Sequence, residues 1–212
     1  MKPVQKTLLL LLALVALVFG LTVHRVLNQK GALDSATLAD AGIILLPQSR
    51  TLPAFSLIDQ NGQAVSEKTL KGSWSLLFFG YTFCPDICPT TLAELRELRS
   101  KLPPELLHRL RVVLVSVDPT RDTPAQLAQY VGYFAADFQG WTGELNQIQT
   151  LSSRLGIPFI PADTSKPGYT VSHSGNLAII DPDGQQQGFI RAPLNTAKLA
   201  VQLPLLLASS IR

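Results

Sequence analysis

Residues 73–92 read Ser73-Trp74-Ser75-Leu76-Leu77-Phe78-Phe79-Gly80-Tyr81-Thr82-Phe83-Cys84-Pro85-Asp86-Ile87-Cys88-Pro89-Thr90-Thr91-Leu92. The first part is a continuous apolar run, which suits a strand buried on both faces. Beyond the cysteines, Leu92, Leu95, Leu98 and Leu102 recur at helical spacing, with Glu94, Arg96, Glu97 and Arg99 interspersed. Residues 90–101 are therefore expected to form an amphipathic helix. A buried strand that delivers a cysteine loop directly into a helix argues for an α/β layered sheet.

The flanking sequence supports this class. Residues 112–117, Val-Val-Leu-Val-Ser-Val, read as a second buried strand. Thr123-Pro124 opens the next helix with a capping residue and a proline at the first helical position. Another helix is expected over 144–155, stopped by Gly156-Ile157-Pro158, and a strand over 176–181. Asp183-Gly184 is a hairpin turn leading into 188–191. Asn195 caps a last helix to about Ala208, whose Leu199, Leu203 and Leu205 to Leu207 read as core packing. Upstream, 43–47 is a short apolar strand. Residues 52–59 alternate and are turned back by Gln60-Asn61-Gly62-Gln63 into Ala64-Val65, a hairpin signature. The expected architecture is a thioredoxin-like α/β fold with an added N-terminal hairpin and an N-terminal transmembrane helix.

Residues 7–23 contain no charge, and their 17 positions reach roughly 26 Å as a helix, just short of a ~30 Å hydrocarbon core. Interfacial residues on either side extend that reach. Lys2 and Lys6 precede the run, which keeps the N-terminus cytoplasmic. The run is longer than the h-region of a cleaved signal peptide, and Val18-Phe19-Gly20-Leu21 is a poor cleavage site. We therefore expect an uncleaved anchor over 1–25, a tether over 26–42 and one domain over 43–212. The expected location is single-pass in the inner (cytoplasmic) membrane, with the domain on the periplasmic or extracytoplasmic side. The formal charge of +3 belongs to Lys2, Lys6 and Arg25, because no acid precedes Asp34 and the remaining bases match the acids in number. A neutral domain gives no support to nucleic-acid binding.

Cys84 and Cys88 are the only cysteines, which excludes a disulfide-dense scaffold. If the helix begins around 84–89, a spacing of four puts both sulfurs on one face, one turn apart. A helix N-terminus stabilises thiolate, the form that binds metal and attacks disulfides. Asp86 between them opposes this unless it points to solvent. With His173 the two thiols would make a small, soft ligand set suited to Cu(I), with an imidazole that accepts either oxidation state. They could instead form a disulfide or cycle between the two states. A structural disulfide over three intervening residues would constrain the unfolded chain little. His173, in Val171-Ser172-His173-Ser174-Gly175, is by itself better read as a core or hairpin histidine than as a ligand. His24 and His108 offer no comparable site. Asp118, Arg121 and Asp122 read as structural, and Trp74, Phe78, Phe79, Tyr81 and Phe83 as mostly core, with Tyr81 and Phe83 able to border the site.

Three motifs taken together resemble the SCO/SenC family. Gly80 to Leu92, with its Cys-Pro-Asp-Ile-Cys-Pro core, is similar to that family's copper motif. Ser116-Val117-Asp118-Pro119-Thr120-Arg121-Asp122-Thr123-Pro124 resembles its second signature. Val171-Ser172-His173-Ser174, followed by Ile180-Asp181-Pro182-Asp183-Gly184, resembles its third. The resemblance implies a thioredoxin-like, membrane-tethered copper chaperone that binds Cu(I) or Cu(II) through Cys84, Cys88 and His173. It also implies work on the binuclear copper centre of cytochrome c oxidase. The partners would be the oxidase's copper-bearing subunit, a copper donor and a thiol reductant. An enzyme remains the alternative, a thiol–disulfide oxidoreductase using Cys84 and Cys88. Three residues rather than two between the cysteines argue against the usual reductase. Two departures stand out: Ser172 where many family members carry Asp before the ligand histidine, and a short 160–169 segment with Asp163 as its only acid.

Overall fold

A computed structural model describes residues 3–28 and 34–209. Chain contacts divide it into two units, 1–34 and 35–212. In the first, helix α1 (Pro3–Asn28) is continuous over 26 residues. Among the described residues no helix is long and apolar enough to cross a membrane. The expected span over 7–23 lies partly outside the residues whose side chains are described, which in this stretch are 11–23, all exposed.

The second unit holds helix α2 (Ser35–Asp40) and strands β1 (Ile43–Thr51), β2 (Leu57–Asp59), β3 (Ala64–Val65) and β4 (Trp74–Gly80). Helices α3 (Ile87–Lys101) and α4 (Pro104–Leu107), strand β5 (Leu110–Ser116), helix α5 (Pro124–Phe134), strand β6 (Gln139–Thr142) and helix α6 (Leu145–Arg154) follow. Strands β7 (Leu177–Ile180) and β8 (Gln185–Ile190) and helix α7 (Thr196–Ser209) complete it. The eight strands form one sheet in the order β1-β8-β7-β4-β5-β6-β2-β3. Strands β4, β5 and β6 are parallel and the other pairings antiparallel. The central position of β4 explains its composition: every residue from Trp74 to Gly80 is buried, as a strand covered on both faces requires.

Parallel pairing of β4 and β5 brings Gly80 opposite Ser116 and so places both strand ends at one edge. Antiparallel β7 begins at that same edge, Leu177 pairing with Phe78. The loops carrying all three motifs therefore converge there. Helix α3 packs against α5 and α7. Thr123 caps α5 by accepting from the Gln126 amide, with Pro124 in the first turn, and Asn195 accepts from the Lys198 amide at the start of α7.

The expected hairpin exists as β2–β3, with Gly62 at φ 76° in its turn. It pairs with β6 at one edge of the sheet, whereas β1 adds to the opposite edge through β8. Residues 52–56 are not strand, and β1 runs to Thr51 rather than ending at Pro47. A register shift between Leu45 and Arg50 accommodates that proline, which an edge strand tolerates because one row of its amides faces no partner. Helix α2, within the stretch expected as tether, buries Leu38 and packs with the domain.

Candidate metal centre

The cysteine loop leaves β4 at Gly80, whose position is sterically dictated. A Cβ at 80 would lie 2.6 Å from Cys88 Sγ and 3.1 Å from Leu114 and Phe78 side-chain atoms. Only glycine lets the sulfur sit directly over the strand end. Tyr81 then donates its amide to Cys88 Sγ at 3.4 Å, and its own side chain is buried. A carboxylate from the second motif pins the loop. Asp122, fully buried, accepts from the Thr82 amide (3.1 Å), the Thr82 hydroxyl (2.7 Å) and the Ser116 hydroxyl (2.6 Å). Burial raises the Asp122 pKa, opposed by the donors from Ser116 and Thr82.

Helix α3 starts at Ile87, so Cys88 stands in its first turn while Cys84 precedes the Asp86 cap. The expected pairing of both sulfurs one turn apart on a helix face is therefore corrected. The loop 84–86 folds back instead, with the Cys84 amide donating to the Tyr81 carbonyl at 3.3 Å. Pro89, third in the helix, costs nothing there because its amide would have no intrahelical partner. Asp86 is exposed and makes no side-chain cap bond.

The two free thiols differ sharply. Cys84 is half-buried and its pKa is lowered to about 4. The hydrogen bond from the Cys88 thiol is the main cause, opposed by burial and helped by the amides of Asp86 and Cys88 at the helix start. Cys88 is fully buried, and its pKa is pushed up, first by desolvation and then by Cys84. The pair thus shares one proton, held on Cys88.

His173 arrives on the loop before β7. Its Nε2 lies 3.3 Å from Cys88 Sγ and its Nδ1 3.0 Å from the Ser174 carbonyl. A carbonyl only accepts, so Nδ1 carries the proton and Nε2 presents its lone pair to the sulfurs. The neighbouring backbone thus orients the imidazole where Ser172 offers no carboxylate. That partner is invisible in sequence, since any residue supplies a carbonyl. Edges of Phe78 (6.0 Å) and Tyr81 (5.6 Å) enclose the ring. The ligating atoms of Cys84, Cys88 and His173 all lie within 4.8 Å of one another, and they form a metal-capable cluster among the described residues. Two sulfurs and one imidazole nitrogen make a soft set that favours Cu(I) and accepts Cu(II).

Tyr81 borders the site, as expected. Phe83 is 52% exposed rather than core. Thr123 caps its helix and Arg121 pairs with Asp118, as a structural reading of that motif required.

The SCO1/SenC family model matches residues 45–207. A Stutzerimonas stutzeri protein to which copper binding is ascribed is 48% identical over 208 residues, 97% of this chain and 98% of that protein. The structure of Bradyrhizobium japonicum ScoI with copper bound superposes with a TM-score of 0.65 at 32% identity, covering 73% of this chain and 98% of that one. BsSco, described as carrying a disulfide switch in a family of cytochrome c oxidase assembly proteins, gives 0.64 at 25% identity over 80% and 99%. The chain belongs to the SCO1/SenC family, and its domain has that family's thioredoxin-like α/β fold.

Proposed function

We propose that this SCO1/SenC protein carries copper as cargo on Cys84 Sγ, Cys88 Sγ and His173 Nε2, and delivers it to the copper-bearing subunit of cytochrome c oxidase. The observation that carries the reading is the convergence of these three donor atoms within 4.8 Å at one sheet edge. The copper-bound ScoI structure and the copper binding ascribed to the Stutzerimonas relative support it. The oxidase as recipient rests on the assembly role stated for the family with BsSco. The two thiolates hold Cu(I), which accepts linear coordination. The imidazole raises the site's capacity for Cu(II). Titrating the reduced protein with each ion should show one equivalent bound. His173→Ala should weaken Cu(II) binding tenfold or more, on the order of the 10–100-fold seen for ligand-supporting groups, and Cu(I) binding less. An unchanged Cu(II) charge-transfer spectrum would remove His173 from the ligand set.

A second reading is favoured by one observation, the asymmetry of the thiols. A half-exposed Cys84 with a pKa of about 4 beside a buried, protonated Cys88 is the arrangement of an attacking and a resolving thiol. Thiol–disulfide exchange on exported partners would use the same two sulfurs.

The anchor belongs to the same proposal: 1–25 in the inner membrane, 26–42 as tether and 43–212 as the extracytoplasmic domain. The sequence carries this part of the reading: the uncharged run over 7–23 follows Lys2 and Lys6. Alkaline phosphatase fused after Arg212 should be active in a bacterial host; an inactive fusion reverses the orientation.

A further inference from the structure

The second motif has so far supplied a turn, a cap and the Asp122 clamp, yet Arg121 is placed to do more. Between Gly156 and Leu177 the chain carries His173 but, among the described residues, has a single bridge as regular pairing, Ile160 with Ser172. That bridge lies within the segment and cannot fix it to the sheet. Buried Ile157, Phe159 and Val171 anchor it to the core, and around Tyr169 it is held by side-chain contact with Arg121. The guanidinium carbon lies 3.7 Å from the centre of the Tyr169 ring, 4.9 Å from that of Phe83 and 5.6 Å from that of Tyr81. Tyr169 belongs to the histidine segment, Phe83 immediately precedes Cys84, and Tyr81 lies against the imidazole.

One buried carboxylate organises both arms of this contact. Asp118 accepts from Arg121 Nε through Oδ2 and from the Tyr169 hydroxyl through Oδ1 at 2.8 Å. Nη2 of Arg121 is buried without a hydrogen-bond partner among the described residues, so the guanidinium is held by ring faces and by the carboxylate. A planar cation stacks face-on while its edge pairs with the carboxylate; an ammonium offers a point charge without that planar fork. Two residues beyond Tyr169, the Val171 amide donates to the Tyr81 hydroxyl at 3.2 Å. His173 follows two residues later.

We propose that Arg121 is a positioning residue that clamps the Tyr169–His173 segment to the cysteine loop, and so presents His173 to the two thiols. The proposal rests on His173 as a copper ligand for its metal-binding consequence, but not for its structural one. In the copper-free protein, Arg121→Leu is expected to speed hydrogen exchange at the Val171 amide at least tenfold, with the β4 and β5 amides unchanged. Loaded with Cu(II), the same variant should show the charge-transfer spectrum and lost nitrogen hyperfine splitting of His173→Ala, while Cu(I) stays bound. Arg121→Lys should fall between. Tyr169→Phe, which keeps the ring and loses the hydroxyl, should stay nearer the parent. Should Arg121→Leu fail to fold, Tyr169→Leu removes the same stack from the loop side and carries the same comparison. Parental Val171 protection in a folded variant lacking the stack overturns the clamp. If His173→Ala itself leaves the Cu(II) spectrum unchanged, the ligand assignment has failed, and the exchange rate at Val171 alone decides the role of Arg121.

Discussion

Serine at either cysteine is expected to abolish tight Cu(I) binding, with a loss above about 100-fold, since even removing a group that merely supports a ligand costs 10–100-fold. A hydroxyl is a hard, neutral donor at any physiological pH, whereas the thiolate is soft and anionic. The two variants should reach that end differently. Cys84 is half-buried in a loop, so Cys84→Ser opens no cavity in the core. Cys88 is fully buried, accepts the Tyr81 amide and fills the space over Gly80. Cys88→Ser exchanges a large sulfur for a smaller oxygen there, and should also lower the melting temperature. Cu(I) competition titrations with a chromophoric chelator measure the first effect and thermal denaturation the second. Parental Cu(I) affinity in either variant would remove that sulfur from the site.

How far sequence alone reaches can be seen at individual residues. Strand β4 was legible because seven consecutive buried positions leave an apolar run broken by a single polar residue, Ser75. The Thr123-Pro124 and Asn195 caps were legible because capping is local chemistry. Strand β6 was not: it is four residues long, Gln139–Thr142, and owes its pairing to β5 and β2 rather than to its own pattern. The start of α3 was misplaced because Cys-Pro-Asp-Ile-Cys-Pro fits either a loop or a first turn. The decision rests on the Asp86 backbone, at φ −140°, which residue types do not encode.

The site shows the same division. Two cysteines at fixed spacing announce themselves. His173 is one of three histidines and was singled out by a resemblance, because its approach to Cys88 spans 85 positions of chain. The imidazole's orienting partner is a backbone carbonyl, and the Asp122 clamp reaches Thr82 across 40 positions. Contacts of that kind are set by topology, here the common edge where β4 and β5 end and β7 begins. The asymmetry of the two thiols is equally positional: neither residue differs from the other in type, only in depth.

That asymmetry sets the last expected result, a competition between copper and a disulfide for the same sulfurs. Both are free thiols here, with Sγ atoms no more than 4.8 Å apart, whereas a disulfide needs about 2.05 Å. Closing the bond moves the loop around Cys84, the half-exposed partner, rather than the buried Cys88. The reaction releases two electrons and the thiol proton, and so requires an oxidant such as a quinone-linked disulfide catalyst or a small disulfide. With the domain extracytoplasmic, as proposed above, it meets such oxidants, and unloaded protein should drift toward the disulfide. Copper needs both sulfurs as thiolates. Cys84 already is one above its pKa of about 4, while Cys88 must give up its proton, so loading at pH 7 should release about one proton rather than two. Below pH 4 Cys84 is protonated as well, proton release rises further, and uptake should weaken more steeply as pH falls. The measurement pairs maleimide labelling under denaturing conditions with copper uptake. Reduced protein should label at two thiols and bind one copper; mildly oxidised protein should label at neither and bind none tightly; copper-loaded protein should resist the same oxidant. Equal uptake by the oxidised protein would overturn the gate and the ligand assignment together, because no disulfide sulfur can act as a thiolate donor.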